Sequence, residues 1–79
     1  MIDKTIPETY NRKLQQIGAL LRETRIGNGY SQKGLTEYLN LHRNSIVRAE
    51  NAKNITLLTL FELADTLEID LKDLFWDIK

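Results

Sequence analysis

Cysteine is absent from these 79 residues, which excludes disulfide staples and thiolate metal sites and suits a reducing cytoplasm. Histidine occurs once, as His42, with no carboxylates at ligand spacing around it. Neither a metal nor any other cofactor is therefore expected. Long apolar runs are also missing. No stretch approaches the roughly 18 residues that a membrane-spanning helix needs. The opening MIDKTIPETY has no apolar core of signal-peptide length. The expectation is a cytoplasmic protein without membrane attachment.

Glycine is sparse, at four, and proline occurs once, while 42% of the residues are hydrophobic and 28% charged. That is the balance of an ordinary globular chain. A single small domain spanning 1–79 is expected, burying roughly 60% of the surface that the unfolded chain exposes. One histidine, no cysteine, no carboxylate pair and no phosphate loop leave an enzyme almost nothing to work with, so the chain is read as non-enzymatic.

A surplus of charge is missing too, since eleven cations face eleven anions. The balance is a cancellation between unlike halves. Residues 1–49 carry eight cations against four anions, a net +4, and residues 50–79 carry three against seven, a net −4. This asymmetry points to one surface for a polyanion and another for something else.

Apolar spacing predicts helices throughout and no strand. Thr5-Ile6-Pro7-Glu8 reads as a helix start, with a capping-box pair and proline in the first turn. Tyr10, Leu14, Ile17, Leu20 and Leu21 follow, and Gly27-Asn28-Gly29 ends the element. Ser31 is a good N-cap for a second helix from Gln32 to about Leu39, with Leu35, Tyr38 and Leu39 as its inner face. Asn40 tolerates the left-handed conformation that ends a helix. A third helix runs from about Arg43 to Glu50, and Asn51-Ala52-Lys53-Asn54 is polar loop. Thr56 caps a fourth, with Leu57, Leu60, Phe61, Ala64 and Leu67 as its stripe. Asp70 caps a fifth, with Leu71, Leu74, Phe75 and Ile78. The fold class is all-α, a compact five-helix domain.

Helices two and three are joined by the very short turn Asn40-Leu41-His42, the shape of a helix-turn-helix, whose core spans 31–51. The stretches I17-G-A-L-L-R-E-T-R25, G29-Y-S-Q-K-G-L-T-E-Y-L-N-L-H-R-N-S-I-V-R-A-E50, L57-L-T-L-F-E-L-A-D-T-L67 and L71-K-D-L-F75 resemble the Xre-type domain of phage repressors and Cro proteins. The likeness spans roughly residues 16 to 76. The family usually has alanine where Thr36 stands and glycine where Asn40 stands. Gly34 sits inside the second helix at a cost of about 1 kcal/mol relative to alanine. The loop after Lys53 is one residue shorter than usual. Residues 1–15 extend the first helix beyond the usual domain edge.

The third helix explains what a polyanion would meet. An α-helix fits the DNA major groove, where arginine forks onto guanine, asparagine pairs with adenine and valine contacts the thymine methyl. Arg43, Asn44, Val47 and Arg48 hold those chemistries on one face, so the helix at about 43–50 is expected to read bases. A merely solvated face would account for the arginines and asparagine but not for an exposed valine. Ser31 and Gln32 open the second helix, whose free N–H groups attract a phosphate. The resemblance implies that Gln32 contacts the DNA backbone. Lys33, His42, Asn51 and Lys53 are further candidates for phosphate contact, with Arg22 a weaker one. The resemblance also implies a structural salt bridge between Arg25 and Glu50.

Leu58 and Trp76 are large apolar residues lying off their helical stripes, and Tyr10 lies on the extension. Either the extension folds back over Trp76 within one chain, or these residues form a homodimer or partner surface. The reading that follows is a small sequence-specific regulator that binds double-stranded DNA as a homodimer on an inverted repeat. Two alternatives stay open: a controller or antitoxin of a restriction–modification or toxin–antitoxin operon, with a toxin or other operon product as partner, and a pure protein-interaction module.

Overall fold

The computed structural model describes residues 5–39, 43–76 and 78, with Arg43 and Asn44 described through their backbone alone. The described chain forms α1 (Glu8–Gly27), α2 (Gln32–Leu39), α3 (Arg43–Glu50), α4 (Leu57–Thr66) and α5 (Leu71–Leu74). No strand occurs among the described residues, and none of their helices is long and apolar enough to cross a membrane. The turn expected at Asn40-Leu41-His42 lies outside the described residues.

Pro7 sets the start of α1. It is the N-cap, at φ −52° and ψ 142°, and its carbonyl accepts from the backbone N–H groups of Tyr10 and Asn11, each at 3.0 Å. A proline disfavours helical geometry at the residue before it, so Ile6 stays outside the helix. The helix therefore begins at Glu8, with Pro7 and not Thr5 as its N-cap. Asn11, 1% exposed, ties the preceding strand of chain down by donating from Nδ2 to the Ile6 carbonyl at 2.9 Å. Tyr10, expected on the inner stripe, is instead 57% exposed.

Three helices end in the same way. A residue in the left-handed region follows each: Gly29 at φ 80°, Ala52 at φ 60° and Glu68 at φ 57°. The next N–H then reaches back to a carbonyl in the last turn, from Tyr30 to Arg25 at 3.1 Å, Lys53 to Arg48 at 2.8 Å and Ile69 to Ala64 at 2.8 Å. These are Schellman closures, which satisfy carbonyls the helix leaves open. Only the first uses glycine.

The core joins Leu21, Leu35, Ile46, Ala49, Leu60, Leu63, Leu67 and Leu74. It draws on all five helices. At its centre α1 lies directly on α3, because Gly18 has no side chain. A Cβ there would stand 2.6 Å from the Ala49 carbonyl oxygen and 3.0 Å from that of Glu50. Gly34 in α2 has a lesser constraint, since a Cβ would sit 3.1 Å from the Ser31 hydroxyl, the group that caps this helix.

Several inner faces differ from expectation. On α4 the buried positions are Leu60, Leu63 and Ala64, with Leu67 buried at the C-cap, while Leu57 and Phe61 are 66% and 46% exposed. The apolar arc of this helix, Leu57, Leu60, Phe61, Leu63 and Ala64, is wide enough for two overlapping stripes, and packing partners choose between them. On α2, Tyr38 is 70% exposed, its ring tilted against Tyr30 with centroids 6.0 Å apart. In α5 only Leu74 is buried, Leu71 and Phe75 being 41% and 45% exposed. The helix stops at Leu74, short of the expected run to Ile78.

Candidate nucleic-acid interface

The α2–α3 pair is built from both ends. Ser31 caps α2, its Oγ accepting from the Gly34 N–H at 2.9 Å. Thr36, standing where a small apolar residue would pack, satisfies its hydroxyl by donating to the Gln32 carbonyl at 2.8 Å. The methyl can then face the neighbouring helix without an unpaired polar group behind it. Within α3, Ile46 and Ala49 are buried at 1% and 3% exposure. That fixes the rotation of the helix, leaving Val47 half-buried and Arg48 exposed on the other side. Arg43 and Asn44 occupy the first two positions of α3, and their side chains lie outside the described residues, as does His42.

Arg48 is not free in solvent. Its Nη2 donates to the Asn54 carbonyl at 3.0 Å, which draws the guanidinium toward the α3–α4 loop. Asn51 is exposed and Lys53 half-buried in that loop, while Ser31 and Lys33 stand exposed at the start of α2. Arg22 and Asn51, distant in sequence, line one hollow between α1 and the end of α3.

Behind this surface lies a buried charge cluster. Arg25 and Glu50 have side chains only 9% and 5% exposed and approach to 2.6 Å. The guanidinium forks onto the carboxylate, Nε to Oε2 at 2.6 Å and Nη2 to Oε1 at 3.1 Å. Its Nη1 donates to the Tyr30 carbonyl at 2.7 Å. Such charge-assisted, bidentate bonds are the strong ones. Gln32 joins them, Nε2 donating to Glu50 Oε1 at 3.3 Å. One carboxylate at the end of α3 thus holds the end of α1 and the start of α2.

Two features of this site have no place in the sequence-based reading. Gly18 permits the α1–α3 approach that seats Glu50 beside Arg25, and a lone glycine inside an apolar helical stripe was its signal. The Asn54 carbonyl that holds Arg48 is a backbone atom, which no residue pattern announces. Among the described residues no group of three His, Cys, Asp or Glu side chains is placed to hold a metal.

Leu58, Trp76 and Tyr10 are 66%, 80% and 57% exposed. The extended first helix does not cover Trp76.

A family model described as helix-turn-helix matches residues 21–74 of the chain, a span that contains α2, α3, α4 and α5 entire. No curated protein and no solved structure matches it.

Proposed function

The chain belongs to the Xre-like helix-turn-helix family, a DNA-binding family, and we propose that it is a sequence-specific regulator of transcription. In this reading α3 enters the major groove of double-stranded DNA, where Arg43, Asn44, Val47 and Arg48 contact bases. Ser31, Gln32, Lys33, His42, Asn51 and Lys53 hold phosphates on either side. The observation that carries it is the orientation of α3: Ile46 and Ala49 are buried, which leaves Arg48 exposed and Val47 half-buried, not fully exposed as expected, on the other side of the helix. An isopropyl group beside a cation is chemistry for a base edge more than for water.

The electrostatics support the same orientation. The basic half of the sequence contains α2 and nearly all of α3, and the acidic half begins at Glu50. A polyanion is drawn to the first and repelled by the second.

The protein acts as a homodimer in this proposal, through a surface that includes Trp76, Leu58 and Tyr10, whose exposure favours a protein contact. Two copies would then read half-sites about one helical turn, roughly 34 Å, apart. The same exposed residues also suit an antitoxin or operon controller that holds a partner protein, in the cytoplasm alongside its DNA. Selection of bound duplexes from a random pool, at near-physiological salt, tests the reading. An enriched inverted repeat supports a dimeric operator reader, a single enriched half-site a monomeric one. No enrichment overturns base readout.

A further inference from the structure

The acidic half of the chain is not a uniform charged surface. Between α4 and α5 it folds into a cleft of about 470 Å³. It is lined by the apolar side chains of Phe61, Ala64, Ile69 and Leu71 and by the carboxylates of Glu62, Asp65 and Asp70. Phe61 and Leu71 are 46% and 41% exposed, so large apolar side chains are open to water in a cleft that three carboxylates also line. The volume falls within the range of pockets that take a ligand or an anchoring side chain.

We infer that this cleft docks a cationic segment of another protein, an apolar anchor residue flanked by lysine or arginine. The apolar lining alone would not identify an occupant; the carboxylates do. A second copy seated symmetrically here would bring Glu62, Asp65 and Asp70 against the same three carboxylates. Like charges so placed at an interface cost several kcal/mol. DNA and anionic lipid are repelled for the same reason. Among the described residues Lys72 is paired with Asp70 only at 3.9 Å, with both side chains more than two-thirds exposed. Such a pair is too weak to neutralise the carboxylates. An apolar anchor with basic flanks meets both features at once.

The cleft is also placed to act alongside DNA. All of its lining residues come from α4, α5 and the turn between them, and none from α2 or α3. An occupant would leave the proposed base-reading face open. The inference therefore stands apart from the DNA-binding reading, and either can fail alone.

A short fluorescein-labelled peptide in which leucines alternate with lysines is the probe, titrated into the full chain with anisotropy and amide chemical shifts as readouts. Expected shifts cluster at Phe61, Asp65, Ile69 and Leu71 and leave α3 unmoved. Asp65→Lys and Phe61→Ser each weaken the peptide about tenfold or more, with the melting curve and DNA binding unchanged. Added salt weakens it too, as screening of exposed charge requires. Because Asp65 is exposed, its variant keeps the test open even if Phe61→Ser fails to fold. Shifts elsewhere, insensitivity to Asp65→Lys, or equal binding of a peptide with glutamates for lysines would overturn the inference. So would concentration-dependent broadening of the cleft resonances without peptide, which would make the occupant a second copy.

Discussion

Gln32 and Glu50, eighteen positions apart in sequence, are joined by a 3.3 Å hydrogen bond from the Gln32 carboxamide nitrogen to a Glu50 carboxylate oxygen. The same oxygen accepts from Arg25 at 3.1 Å. The side chain proposed to meet a DNA phosphate is therefore anchored on the ion pair that packs the helices together. One nitrogen-bound hydrogen of Gln32 is committed to that pair, and the rest of the carboxamide is available to the backbone of a duplex.

Replacing Glu50 with alanine should destabilise the fold severely. Removing one partner of a buried pair typically costs about 3–5 kcal/mol, because the other charge is left uncompensated. For a domain this small each kcal/mol is worth roughly 4–8 °C. A drop of about 12 °C or more in the circular dichroism melting curve is expected, and an unchanged curve would contradict it.

Gln32→Ala should separate function from stability. Arg25 still satisfies the Glu50 carboxylate in this variant, so the melting temperature should fall by less than about 5 °C. Operator affinity should fall about tenfold, equivalent to roughly 1.4 kcal/mol. Fluorescence anisotropy with a selected duplex measures it. Full affinity would remove Gln32 from the phosphate contacts.

Gly18→Ala and Gly27→Ala should have opposite signs. Both gain helix propensity, up to about 1 kcal/mol. At Gly18 the new methyl meets backbone oxygen at 2.6 Å, so α1 must move off α3 at an overpacking cost of about 1–3 kcal/mol. At Gly27 a Cβ meets nothing within 4 Å. Melting curves for the two variants check this: a lower midpoint for Gly18→Ala and a higher one for Gly27→Ala are expected.

Glu68→Gly should stabilise the protein. Glu68 is exposed and sits at φ 57°, where an L side chain costs roughly 1–2 kcal/mol. Glycine removes that strain and returns part of the gain through a more flexible unfolded chain. A rise of about 0.5–1 kcal/mol in denaturant unfolding is expected. Ala52 is a poorer target, since its buried methyl would be lost with the strain.

Val47→Ala bears on base readout alone. The side chain is half-buried, so little stability is at stake, whereas a thymine methyl would lose its apolar neighbour. Repeating the duplex selection should show one half-site position relaxed and the others kept. An identical selected sequence would exclude Val47 from the readout.

Much of this molecule was legible in the chain because it is local. The bounds of α2 and α3 follow from Ser31 as a cap and from apolar residues returning every three or four positions. Thr56 capping α4 is equally local, since its Oγ1 accepts from the Thr59 N–H at 3.1 Å. The pairing of Arg25 with Glu50 was an expectation carried by the family resemblance, and the 2.6 Å contact depends on packing that no short window contains.

The sequence by itself determined an all-helical chain, its helix starts at Ser31 and Thr56, and a basic half set against an acidic one. Tertiary structure alone decided which side of an apolar helix faces inward, so that Leu63 is buried where Phe61 was expected. It also decided that Gly18 is a contact point, that Arg48 bends toward the Asn54 carbonyl, and that Glu62, Asp65 and Asp70 share one cleft with Phe61, Ile69 and Leu71. Periodicity ranks the faces of one helix, but burial depends on what another helix brings to it. Where α4 offers two apolar stripes, only the packed neighbours choose.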